Sequence, residues 1–122
     1  MGNRTSNSPA GRRWRDYSTP SGRRQVRDFL RGLPDRDLAA VLAAMAEVRQ
    51  EGTRSARHLK GDLWEVRATS EGVAYRLIFA EEGKRGRVLL SLVAFKKKTQ
   101  KTPPQTIRLA QRRLDDWRSR GQ

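Results

Sequence analysis

Apolar residues recur along the chain first at helical spacing and then at strand spacing. Val26, Phe29, Leu30 and Leu33 stand three and four apart, the spacing of one helix face, with Arg23, Arg24, Arg27 and Arg31 mostly around the rest. Leu38, Val41, Leu42, Met45 and Val48 repeat that pattern, and the interleaved alanines at 39, 40, 43, 44 and 46 favour a strong, slender helix. Gly32-Leu33-Pro34-Asp35 separates the two, so they read as a helical hairpin. Thr19 or Ser21, with Pro20 near the start, is the expected cap of the first helix, and Asp35 that of the second. Glu51-Gly52 supplies the stop. Ahead of the hairpin, Trp14–Thr19 is a short candidate strand.

The period then changes. After a basic connector at 53–61, Leu63–Thr69, Val73–Glu81 and Arg87–Phe95 read as three strands. Their connections, Ser70-Glu71-Gly72 and Glu82-Gly83-Lys84-Arg85-Gly86, are short enough to predict an antiparallel meander. Val88–Phe95 is apolar except for Ser91, so it belongs inside the sheet with both faces covered. Pro103-Pro104 opens a last helix, with Thr102 as the expected N-cap. Its members Ile107, Ala110, Leu114 and Trp117 form one stripe. The predicted fold is α+β: a small antiparallel sheet packed against an N-terminal helical hairpin, plus a C-terminal helix, in the order β-α-α-β-β-β-α. Residues 1–13 are expected to be a disordered basic leader and 14–120 a single domain.

Composition narrows the chemistry. The chain has 122 residues and a net charge of +14, from 27 Lys and Arg against 13 Asp and Glu. Its partner is therefore expected to be a polyanion, nucleic acid first. No cysteine and one histidine are present, so a thiolate site, a disulfide framework and a histidine metal cage are excluded, and no metal or cofactor is implied. No apolar run approaches the roughly 20 residues that span a bilayer. The expectation is a cytoplasmic protein with no membrane partner.

The meander carries the candidate site. With Glu71-Gly72 as the central turn residues, Ser70 pairs with Val73, Arg67 with Arg76 and Glu65 with Ile78. Like charges directly across a sheet repel, and an anion between Arg67 and Arg76 relieves them. Glu65, one same-face step away, does so in part. The lysine run Lys96, Lys97, Lys98 and Lys101 leaves the last strand at the same end, and Lys60 precedes the first strand of the meander. Cations without a nucleophile suit RNA cleavage in which the ribose 2′-hydroxyl attacks the adjacent phosphate, because fixed donors stabilise the charge that develops. His58, the one side chain that titrates near neutrality unperturbed, and Glu65 are the candidate general bases. Tyr17 and Tyr75 read as packing residues. Tyr75 alternates with Val73, Leu77 and Phe79 on the face opposite Arg76.

Four stretches together are specific: Tyr17–Pro34 (YSTPSGRRQVRDFLRGLP), His58–Arg67 (HLKGDLWEVR), Tyr75–Phe79 (YRLIF) and Phe95–Pro103 (FKKKTQKTP). In this order they resemble the phage-derived HigB-like branch of the RelE/ParE toxin superfamily, over nearly all of residues 14–120. The resemblance implies a type II toxin that cuts mRNA on the ribosome without metal. It also implies a cognate antitoxin of the helix-turn-helix, HigA-like kind. It assigns catalysis to Arg67, Arg76 and Lys97, as phosphate-orienting, charge-stabilising and leaving-group residues; Lys60, Lys96, Lys98 and Lys101 are the RNA-binding candidates from the charge pattern itself. Two departures stand out. Glu65 replaces a second lysine of RelE, and no tyrosine follows the lysine run. A ParE-like gyrase poison and a non-catalytic nucleic-acid-binding relic are the alternatives within the superfamily.

Overall fold

The computed structural model describes residues 11–121. The chain runs β1 (Arg13–Asp16), α1 (Gln25–Arg31), α2 (Asp35–Glu51), β2 (Arg57–Lys60), β3 (Leu63–Ser70), β4 (Val73–Glu82), β5 (Val88–Lys96) and α3 (Pro104–Ser119). The strands form one sheet in the order β1-β5-β4-β3-β2, with β1 parallel to β5 and every other pair antiparallel. The expected meander is β3-β4-β5. β5 lies inside the sheet, with Leu89–Ala94 buried throughout, which is why its sequence carries no polar alternation.

Alternation along β3 and β4 assigns each face a helical cover. Val66, Leu77 and Phe79 face the hairpin, where they pack with Val26 of α1 and Val48 of α2. Leu63, Ile78 and Ala80 face α3 and meet Ala110, Leu114 and Trp117, the stripe read from the sequence. The sheet therefore separates two cores. β1 is tied to both: Trp14 Nε1 donates to Met45 O at 2.8 Å on one side. Just past the strand, the Tyr17 hydroxyl donates to Asp116 Oδ2 at 2.6 Å on the other. Burying one Leu-sized side chain such as Leu114 contributes about 1.5–3 kcal/mol, and the stripe as a whole holds α3 down.

Several boundaries differ from the sequence reading, each for a local reason. Thr19 and Ser21 do not cap α1. Gly22 (φ 91°) closes a turn on Thr19 O, and the Thr19 hydroxyl accepts from Arg23 N, so the helix begins only after Arg24. Asp35 is the first helical residue of α2, with Pro34 at the cap position. Pro103 holds the cap position of α3, and Thr102 is used elsewhere. The basic connector contains a further strand, β2, paired with β3. Arg12 and Arg13 are not leader. Arg12 donates to Arg49 O and Gln50 O at the end of α2, and Arg13 starts β1. The rest of the expected leader, residues 1–10, lies outside the described residues. Among the described residues, no helix is long and apolar enough to cross a membrane.

Candidate functional site

The β3–β4 turn sets the geometry. Glu71 (φ 52°) and Gly72 (φ 81°) both occupy the left-handed region, as a tight two-residue hairpin requires. The resulting register pairs Ser70 with Val73, Arg67 with Arg76 and Glu65 with Ile78, as the sequence predicts. Arg67, Arg76 and Glu65 thus share the α3 face, beyond the end of its apolar core.

The two arginines have different environments. Arg67 is exposed. Arg76 is 2% exposed and Glu65 1%, because the segment from Lys97 to Pro103, leading into α3, closes over them. Arg76 Nη2 donates to Gln100 O at 2.8 Å. Its Nη1 donates to Thr102 Oγ1 at 3.0 Å and lies 3.5 Å from Glu65 Oε2. The buried Thr102 hydroxyl in turn donates to Glu65 Oε2 in a short hydrogen bond. Arg57 of β2 approaches the other carboxylate oxygen, Oε1, at 3.4 Å. The repulsion across the Arg67–Arg76 pair is therefore resolved within the protein, with Glu65 as the counter-ion of Arg76. Arg76 Nε and Glu65 Oε1 are buried without a hydrogen bond.

The lysine run forms a wall at the end of β5. Lys97 N donates to Ala74 O at 2.8 Å, so the wall starts flush with β4. Lys96, Lys97 and Lys98 line hollows on both of its sides. One is a cleft of about 400 Å³ that also takes in Lys101, Arg76, Phe95 and, from the helices, Gln25 and Arg113. The other, about 550 Å³, opens toward Gly72–Ala74 of the hairpin. Gln25 is fixed at the cleft rim by a reciprocal amide pair with Ala94, donating to its carbonyl at 2.9 Å and accepting from its N–H at 3.2 Å.

Not every residue singled out in the sequence is in this region. Lys60 pairs with Leu63, four residues back along β3 from Arg67, so it lies about 13 Å down the sheet and one strand further out. His58 stands opposite Trp64 on the hairpin face, with its ring 4.9 Å from the indole and Nε2 2.7 Å from Gly61 O. Glu65 is on the site face but enclosed. Tyr75 packs as expected, T-shaped against Phe29, and its hydroxyl donates to Asp37 Oδ2. The Ser70 hydroxyl donates to Asp37 Oδ1 at 2.7 Å. These two donors, Tyr75 foremost, hold the Asp37 carboxyl below its ordinary range.

Sequence reasoning missed Thr102, Gln100, Arg57 and Asp37. Thr102 before two prolines reads as a helix cap, and a carbonyl partner such as Gln100 O has no side-chain signature. Arg57 is one of two arginines in a connector without alternation.

A comparison with curated proteins finds no match. Residues 28–115, which include the last four residues of α1, all of α2, the whole meander and most of α3, match the family described as phage derived protein Gp49-like (DUF891). That span covers well over half of the 122 residues, and the chain belongs to this toxin-like family of phage-derived proteins.

Proposed function

We propose that the protein is the toxin of a type II toxin–antitoxin pair, a HigB-like ribosome-dependent mRNA endonuclease. The observation that carries this reading is the lysine wall, Lys96 to Lys98 with Lys101, standing at the same sheet end as the exposed Arg67. A single-stranded phosphodiester backbone laid across that end meets cations on both sides. Membership of a toxin-like family adds to it.

In the reaction, the ribose 2′-oxygen forms a bond to phosphorus and the bond from phosphorus to the 5′-oxygen breaks. A 2′,3′-cyclic phosphate and a 5′-hydroxyl result, and the proton lost from the 2′-hydroxyl is balanced by one gained at the 5′-oxygen. Negative charge grows on the phosphorane oxygens and the leaving oxygen. Arg67 and Lys97 are the groups we assign to hold it, with Lys96, Lys98 and Lys101 binding flanking phosphates. The partners in this reading are the ribosome, mRNA and a helix-turn-helix, HigA-like antitoxin whose contact surface is acidic.

The test is induced expression followed by mapping of mRNA 5′ ends. Codon-registered cuts are expected, reduced about 10²–10³-fold by Arg67→Ala, while the thermal melt of that variant matches wild type. DNA-damage signalling with intact mRNA would identify a gyrase poison instead. Salt-sensitive binding with no growth effect would identify a nucleic-acid-binding relic.

A further inference from the structure

We propose that Arg76 is a positioning residue: with Glu65 and Thr102 it ties the Lys97–Lys101 loop to the sheet and presents its ammonium groups as a fixed wall, without itself touching the phosphodiester. The inference rests on the reading of that wall as the phosphate-binding surface. It departs from the role the family resemblance implies for Arg76.

Three observations support it. First, the guanidinium is only 2% exposed, and two of its three nitrogens already donate to the loop, at Gln100 O and Thr102 Oγ1. A guanidinium that left these partners for a phosphate would also leave the enclosed Glu65 carboxylate without its buried counter-charge, with only the half-exposed Arg57 beside it. Second, Lys96, Lys97, Lys98 and Lys101 lie within six residues and repel one another, so an untied loop would splay into solvent. Third, the loop is pinned at both ends. Lys97 N bonds Ala74 O at its start, and Gln100 O and Thr102 Oγ1 bond Arg76 at its finish. Between them the Thr99 hydroxyl donates to Lys101 O at 2.6 Å. The tether thus converts a mobile cationic loop into a preorganised one, which lowers the cost of ordering it on the substrate.

The test uses the full chain with Thr102→Val, which keeps the shape and deletes the bridging hydroxyl. Arg76→Lys keeps the charge and loses the planar fork. Two readouts are taken: hydrogen exchange of the loop amides, and the salt dependence of binding to a twelve-nucleotide oligouridine probe. Both variants are expected to exchange the loop amides about tenfold faster, with the β4 and β5 amides unchanged. In both, the log-affinity against log-salt plot is expected to become about two units shallower, as three ammonium groups disengage. Thr102→Ser restores wild-type values, and thermal melts confirm that all three variants fold. Wild-type exchange and slope in Thr102→Val would overturn the proposal. So would an unchanged slope in Arg76→Lys, the result expected of a direct charge contact. Neither readout depends on cleavage, so an uncut mRNA would remove the nuclease reading and leave the tether standing or falling on its own.

Discussion

At the hairpin end of the sheet, two polar clusters lie back to back, one on each face. On the hairpin face Asp37 takes hydroxyl donors from Tyr75 and Ser70. On the α3 face Glu65 takes a hydroxyl from Thr102 and the guanidinium of Arg76. The first is an acid at the rim of a core, held by neutral donors that would otherwise be unsatisfied. The second is an ion pair almost wholly removed from water, and it still leaves Arg76 Nε and Glu65 Oε1 without hydrogen bonds. Desolvation on that scale offsets most of what the pair gains by attraction. The first cluster therefore contributes to stability, whereas the second is better explained by what it positions, the lysine wall above it.

The largest expected effect breaks the second cluster on one side only. Glu65→Ala leaves Arg76 buried without its counter-ion and should cost about 3–5 kcal/mol in urea denaturation. Replacing the group together, as Glu65→Leu, Arg76→Met and Thr102→Val, should be neutral or stabilising by about 1–4 kcal/mol while abolishing the effect of the lysine wall on RNA binding. A triple variant as unstable as the single one would mean that the cluster is there to hold the fold.

Next in size is the apolar half of the same face. Leu114 is fully buried against the sheet, and Leu114→Ala should cost about 2–5 kcal/mol. Because that half, rather than the ion pair, carries α3, the loss should appear as global unfolding at lower urea and not as local release of the lysine loop. Hydrogen exchange separates the two outcomes. Loop amides that open while the core stays protected would assign the docking of α3 to the wrong half.

The hairpin-face cluster predicts an acid limb. Asp37 is held below its ordinary value by Tyr75 and Ser70, and Asp16 below its own by the bidentate Arg24 bond, at 2.7 and 2.5 Å. A carboxyl depressed in the folded state contributes stability that is present above its unfolded value, near 3.8 for Asp. That stability is lost as pH falls through the folded value. Tyr75→Phe removes the larger of the two causes at Asp37. Its destabilisation relative to wild type should therefore be greatest near neutrality and shrink in acid, as measured by urea midpoints at a series of pH values.

Much of this architecture was legible in the sequence, and the parts that were not share a physical cause. Strand period and the Glu71-Gly72 turn were enough to place Arg67 against Arg76, because a one-residue slip would have turned Val66, Leu77 and Phe79 to the wrong face. The α3 stripe was legible for the same reason. β2 was not, since Arg57–Lys60 is an edge strand with only Leu59 to pack and no alternation to betray it. The different fates of the two arginines were not legible either. Periodicity says which face a residue takes, and both arginines take the same one. Whether a loop from farther along the chain closes over one of them depends on Thr102 and Gln100, whose contacts leave no periodic trace.

The smallest expected effect tests whether the two faces are separate in function as well as in packing. His58 is the residue whose chemistry most invites a role, yet its ring lies against Trp64 on the hairpin face, while Glu65 and Arg76 point to α3. His58→Gln keeps a group able to reach Gly61 O and should shift stability by no more than about 0.5 kcal/mol. mRNA cleavage and oligouridine affinity should both match wild type, in contrast with the losses expected from Arg67→Ala. A cleavage defect in His58→Gln with unchanged RNA affinity would bring proton transfer to the hairpin face. The phosphodiester would then have to wrap the β2 edge of the sheet rather than lie along the lysine wall, and Lys60 on that edge would become its natural contact.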